Sequence, residues 1–338
     1  MEISVPKALL SFSVLAMACT GTLSPVNAQT KSDRIRPRET RQFHVVHGWP
    51  LVPENTILDG PSAVAIDSDN NVFVLQRGGR KWPDDDKFDT TPIKVPTVYV
   101  FDSRSGRLLK EWGENVLALP HGLTTDKDDN VWITDIALHQ VFKFSHDGKL
   151  QLTLGERAVP GDDDKHFNQP SDVAVASDGS IFVSDGYGNN RIVKFSPDGK
   201  FLLAWGKKGK AQGQLDLPHG LAVDGDRVFV ADRGNKRIQI FDLQGRFIAK
   251  WNGPPFDSVQ DIKIGSDHRA YVIQNGPEGP TDTTGVLVMR PDGSLIERIG
   301  AYGNYDGQFL DAHWVAVSRS GAVYVADFDG RRVFKFVR

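Results

Sequence analysis

Cysteine is almost absent. The 338 residues contain one, Cys19, and only three methionines, so no intrachain disulfide can form and thiolate-rich metal or redox motifs are excluded. A cationic surplus is missing too: 40 Lys and Arg stand against 43 Asp and Glu, for a net charge of −3, which leaves no basic footprint for nucleic acid. Long hydrophobic runs are missing apart from Ala8 to Cys19, which follows Lys7 and precedes the small residues Val26-Asn27-Ala28. This run is too short and too weakly flanked for a membrane span and reads as a secretory signal over residues 1–28, cut after Ala28, which makes the chain periplasmic or secreted. Lipid attachment at Cys19 is an alternative, although Ala16-Met17-Ala18 fits a lipobox poorly. Residues 29–42, rich in Lys, Arg and Thr and poor in apolar side chains, read as a flexible linker. Without disulfides an exported chain needs a large core, and the 39% apolar and 25% charged fractions are those of a soluble globular protein.

What the chain does have is repetition. Apolar strand runs end at Gln76, Asp135, Asp185, Asp232, Gln274 and Asp327, spaced roughly 40 to 60 residues apart, near the four-stranded blade period of about 40 to 50. Each unit opens on an apolar strand, turns on Asp, Gly, Asn or Ser into a second, alternates through a third such as Arg191-Ile192-Val193-Lys194-Phe195, and closes on a fourth near Trp-Gly. The last unit stops in its third strand, Val333 to Arg338, while Phe43 to Trp49 looks like a lone fourth strand. An all-β fold follows: a six-bladed β-propeller over 43–338, its last blade completed by the N-terminal strand, which removes an exposed edge.

At one register ahead of the first strand of each unit stand Ser62, His121, Ser171, His219, Gln260 and His313. Closing six units into a ring puts the three histidines on alternate blades, facing one another across the axis. A lone histidine here would be read as a packed core residue. Three in phase suit Zn²⁺ with an open fourth position. His44, His47, His139, His146, His166 and His268 fall outside the register. Arg77, just after a strand end, and Tyr187, two residues after another, point to the same mouth, and an arginine beside a tyrosine near a dication favours phenolate, a usable base. Arg233 occupies the position of Arg77, and either could equally be a blade staple. The recurring Asp135, Asp185, Asp232 and Asp327 read as turn hydrogen-bonding residues. The acidic triplets Asp84-Asp85-Asp86 and Asp162-Asp163-Asp164 lack the spaced ligands of a Ca²⁺ loop and read as solvated.

The strings Leu119-Pro120-His121-Gly122-Leu123, Asp135 to Lys143, Gln169 to Val175 and Val183-Ser184-Asp185-Gly186-Tyr187 give the chain its resemblance. It resembles NHL-repeat β-propellers and, among them, the peptidyl-α-hydroxyglycine α-amidating lyases. The resemblance implies zinc on His121, His219 and His313, catalysis by Tyr187 and Arg77, and cleavage of the N–Cα bond of a small peptidyl- or N-acyl-α-hydroxyglycine to an amide and glyoxylate. It also implies a structural calcium held by the backbone carbonyls of Val64 and Leu123 and by an aspartate directly after the third histidine. Here that residue is Trp314, and an indole cannot ligate Ca²⁺, which leaves Asp172 or Asp261, at the same register on other blades, as the alternative carboxylate ligands. The alternative expectation is a non-catalytic exported NHL propeller that binds a peptide, protein or glycan. In either case the chain is expected to be a monomer that neither spans a membrane nor binds nucleic acid.

Overall fold

The computed structural model describes residues 42–54, 56–85, 87–276 and 283–338. The expected signal segment, Cys19 and nearly all of the expected linker lie outside the described residues, as does Asp86. Six four-stranded antiparallel sheets make up the fold. Five are built from four consecutive strands each. The sixth takes three strands from residues 312–337 and its fourth from His44–Val45. The first strands of the six blades are Pro61–Ile66, Pro120–Thr125, Asp172–Val175, Pro218–Asp224, Ser258–Ile264 and Ala312–Val317. Each packs against the first strands of the blades on either side, so together they line the axis of a propeller. Among the described residues the only helix is the 3-10 turn Arg233–Asn235, and no helix is long and apolar enough to cross a membrane.

Burial follows the distance of a strand from the axis. Second strands such as Val131–Asp135 and Val323–Asp327 are buried at every residue, because neighbouring blades cover both faces, and their sequences are accordingly near-continuous apolar runs. Outer strands such as Leu108–Trp112 cover one face only and alternate. The recurring aspartates hold together the four blades that carry them, Gln76 and Gln274 standing at that position in the other two. Asp185, Asp232 and Asp327 are fully buried and accept the backbone N–H of Asn168, Asp216 and Asp311 on the segment entering the first strand. The same carboxylates pair with Arg191, Arg237 and Arg332 at 2.7–2.9 Å, at the start of the third strand. Asp135 does the same work through the N–H groups of Ala118, Leu119 and Leu138. Turn hydrogen bonding was legible in the sequence, whereas the arginine partner was not.

The seam is shorter than the Phe43–Trp49 strand expected from sequence. His44 pairs with Val337 and Val45 with Phe336, Val46 N–H donates to the Lys335 carbonyl, and the chain then turns. Trp49 nevertheless fastens it, packing 4.9 Å from Tyr324 of blade six and 6.4 Å from Phe101 of blade one, ring centre to ring centre.

Candidate metal centre

The three histidines sit inside the first strands rather than ahead of them, and each lies where strand pairing slips. Register shifts fall between Pro120 and Leu123, Pro218 and Leu221, and Ala312 and Trp314. A bulge of this kind re-aims a side chain, and here it turns each imidazole into the axial channel. Glycine follows the first two. A Cβ on Gly122 would lie 2.6 Å from the Ser171 carbonyl oxygen, and one on Gly220 would lie 2.6 Å from Asp261, so the Pro-His-Gly motif lets the next blade approach its histidine.

That approach explains the alternation along the chain. His121 Nδ1 lies 2.8 Å from the carbonyl of Ser171, His219 Nδ1 2.7 Å from that of Gln260, and His313 Nδ1 2.6 Å from that of Ser62. Every histidine is thus pinned by the residue at the same register on the following blade. A carbonyl can only accept, so Nδ1 carries the proton and Nε2 presents a lone pair to the axis. Ligand atoms of the three residues all lie within 4.8 Å of one another, and all three residues are buried. Burial first, and then the neighbouring imidazoles or arginines, pushes the pKa of His121 and His219 well below the ordinary histidine value, and that of His313 down to about 3.

Tyr187 reaches into the same space. Its hydroxyl lies 3.0 Å from Nε2 of His121 and 2.8 Å from Nε2 of His219. One O–H can satisfy only one of those two lone pairs, which leaves buried imidazole acceptors short of donors. Three neutral, inward-facing nitrogen ligands, two of them competing for a single O–H, fit a metal ion. Two ligands about 2.1 Å from one ion lie at most about 4.2 Å apart, so ring shifts of about 1 Å or less close the set.

Two arginines flank the tyrosine. Arg77 is buried, its Nε donates to the Pro120 carbonyl at 3.0 Å, and its guanidinium lies 4.7 Å from the Phe328 ring centre. Arg233 lies with Nη1 3.5 Å from the Tyr187 hydroxyl. An arginine and a dication together were expected to favour phenolate at Tyr187. On protein groups alone the arginines do not suffice: burial raises its pKa, and the pull of Arg233 and Arg77 is too weak to reverse that. Without an ion at the centre the hydroxyl therefore keeps its proton and donates a hydrogen bond to an imidazole.

The remaining histidines are engaged elsewhere. His139 Nδ1 accepts the Gln169 N–H at 3.0 Å, His146 pairs with Asp67 and His166 with Asp163, His268 meets Asp224 and His47 meets Asp306, and His44 lies in the seam. Asp84, Asp85 and the second acidic triplet are exposed. Sequence reasoning left Arg233 ambiguous and missed the aromatic wall, in which Trp82 lies 4.8 Å from Tyr187 and 5.0 Å from Phe88. It also missed Asp311, whose carboxyl is pushed up to about 6, chiefly by burial. The one available signal was position: Asp311 stands two residues before His313.

The implied calcium does not fit. Trp314 is fully buried beneath the histidines, its ring centre 5.5 Å from that of His121 and 5.7 Å from that of His219. Val64 and Leu123 line a cavity of about 260 Å³ at the other end of the channel, and Lys263 lines it with them.

Comparison with known proteins places this propeller among named relatives. The NHL repeat model matches residues 167–195 and 215–241. The chain is 37% identical to the rat peptidylglycine alpha-amidating monooxygenase across 89% of its own length, and spans about a third of that protein's length (32%). It is 33% identical to the Drosophila melanogaster peptidyl-alpha-hydroxyglycine alpha-amidating lyase 2, covering 87% of this chain and 75% of that one. A solved streptogramin B lyase shares the fold alone, at 14% identity and a TM-score of 0.56, with 87% of this chain and 97% of that chain covered. With a six-bladed ring of NHL repeats, and with a named lyase matched over three quarters of its length, this chain belongs to the peptidyl-α-hydroxyglycine α-amidating lyase family.

Proposed function

We propose that the protein is a zinc-dependent lyase that cleaves the N–Cα bond of a peptidyl-α-hydroxyglycine, giving a peptide amide and glyoxylate. The observation that carries the reading is the Tyr187 hydroxyl suspended between two ligand-type nitrogens with arginines beside it. His121, His219 and His313 would hold the zinc, whose borderline-soft character suits three imidazoles. Bound there, the ion would supply Lewis-acid polarisation of the substrate hydroxyl.

The protein's own groups account for the rest. With a dication at the centre Tyr187 would stand as phenolate and take the hydroxyl proton, the C–O bond would become a carbonyl as the Cα–N bond breaks, and Tyr187 would return that proton to the departing amide nitrogen. Arg77, with its Nε committed to Pro120, turns its terminal N–H groups to the substrate carboxylate. Arg233 opposes charge developing near Tyr187. Trp82 and Phe88 offer an apolar wall for the residue preceding hydroxyglycine, so N-acylated or small peptidyl substrates fit. Processing after Ala28, with function in the periplasm or outside the cell as a monomer, completes the proposal.

A binding-only propeller is the second reading, and Trp314 is the observation that favours it, because an indole stands where the family places an aspartate. The two readings separate when purified protein of measured metal content is incubated with an N-acyl-α-hydroxyglycine and glyoxylate is assayed. One zinc per chain with release that Tyr187→Phe abolishes supports the lyase. A zinc-loaded protein without turnover on such substrates refutes it.

A further inference from the structure

The end of the channel below the histidines carries an internal cation. Asp172 on blade three and Asp261 on blade five are both fully buried, at the register one residue beyond the axial position. Between them sits the ammonium of Lys263, 3.1 Å from Asp172 Oδ2, 2.8 Å from Asp261 Oδ1 and 3.0 Å from the carbonyl oxygen of Leu221 on blade four. Its fourth side faces Trp314 on blade six, with Nζ 5.2 Å from the ring centre. Asp172 Oδ2 also accepts the Leu221 N–H at 2.7 Å, and Asp261 Oδ2 accepts the Val315 N–H at 3.1 Å. One positive group therefore ties together four consecutive blades through oxygens and a π-face.

Two carboxylates and a carbonyl converging on one point form the donor set of a hard divalent cation. A single ammonium supplies half the charge such an ion would bring. We propose that Lys263 is a tethered replacement for a divalent cation: its side chain occupies a latent Ca²⁺ site in the axial channel and makes the ring independent of calcium. Trp314 fits the same account. Where an incoming ion would want a further oxygen, the indole instead gives an ammonium a cation–π partner. Burial alone would lower the lysine pKa, but the two carboxylates outweigh it and the net direction is up, so the charge persists. The cavity of about 260 Å³ lined by Lys263, Val64, Leu123 and Leu221 gives an ion a route to the site once the side chain is shortened. The proposal goes beyond the lyase reading and stands or falls without it.

Thermal unfolding with and without added Ca²⁺ tests it in wild type, Lys263→Ala and Lys263→Ala/Asp172→Asn, with zinc kept constant. Wild type is expected to show no calcium-dependent change. Lys263→Ala, which strands two buried carboxylates, is expected to lose on the order of 5 °C in Tm and to regain most of it with Ca²⁺. The double variant is expected to regain nothing, which separates this site from adventitious binding at the exposed acidic loops. A wild-type protein that gains Tm with Ca²⁺, and loses that gain with Asp172→Asn, overturns the proposal, as does a folded Lys263→Ala indifferent to Ca²⁺. Should Lys263→Ala fold only in the presence of Ca²⁺, the result is the expected one in stronger form. Should it fold under neither condition, the wild-type arm decides.

Discussion

His313 offers the sharpest test of how the centre is built, because its imidazole is held neutral down to a pKa of about 3 against an ordinary value of 6.5. The folded value is depressed, so the unfolded chain takes up the proton first. The contribution to stability is complete above about pH 6.5 and is lost as pH falls toward about 3. Between about pH 7 and pH 5 the linkage amounts to about 2 kcal/mol for this one residue. The wild-type curve alone would hide it. Asp185 and Asp311, both pushed up to about 6 by burial, bind protons in the folded state over the same range and act in the opposite sense. The informative quantity is the difference between wild type and His313→Gln, each stripped of metal and unfolded in urea at the two pH values. Loss of the bond to the Ser62 carbonyl shifts both points equally, whereas the pH-dependent part belongs to the imidazole. The variant should gain about 2 kcal/mol on wild type on going from about pH 7 to pH 5. Parallel curves would mean that His313 is not held neutral, and that Nε2 is not the lone pair presented to the axis.

Removal of the hydroxyl in Tyr187→Phe should cut glyoxylate release by about 10²–10⁴-fold while zinc content stays at the wild-type level, since the ring nitrogens remain. Lost zinc in that variant would instead make Tyr187 part of the ligand set. Gly186→Ala should both destabilise the fold and disable the site, because a Cβ there would lie 1.8 Å from the Pro218 carbonyl oxygen, beside His219. Activity and Tm measured together separate the two effects. Asp232→Ala strips a buried carboxylate from Arg237, itself buried, and should cost about 3–5 kcal/mol in urea unfolding. Arg233→Ala should weaken turnover of carboxylate substrates without changing metal content. Unaltered kinetics would return Arg233 to a purely structural role.

The sequence displayed what repetition can display. Blade number, the phase of the histidines and the closing strand were legible because each recurs, or is conspicuously missing, at one register. The clamp between Asp232 and Arg237 was half legible: the aspartate recurs as a strand ending, but the arginine looks like any strand-opening residue until the sheet is paired. Trp82 lies in an insertion with no counterpart in other blades, so no periodicity marked it. Lys263 read as the middle of a strand, Ile262-Lys263-Ile264, and nothing local says that its side chain finds two carboxylates from different blades. Tyr187 was found from its place after a strand end, while the depth of its burial, which opposes the attraction of arginine, was not visible in sequence.

The seam has a consequence for when the centre can exist. His313 rides on the first strand of the blade that is finished only when His44–Val45 zips onto Arg332–Val337, segments separated by nearly the whole domain. Until the strand that carries His313 is in place the ring can offer an ion only His121 and His219, so an ion held by all three imidazoles would be taken up late, when the last blade joins the first.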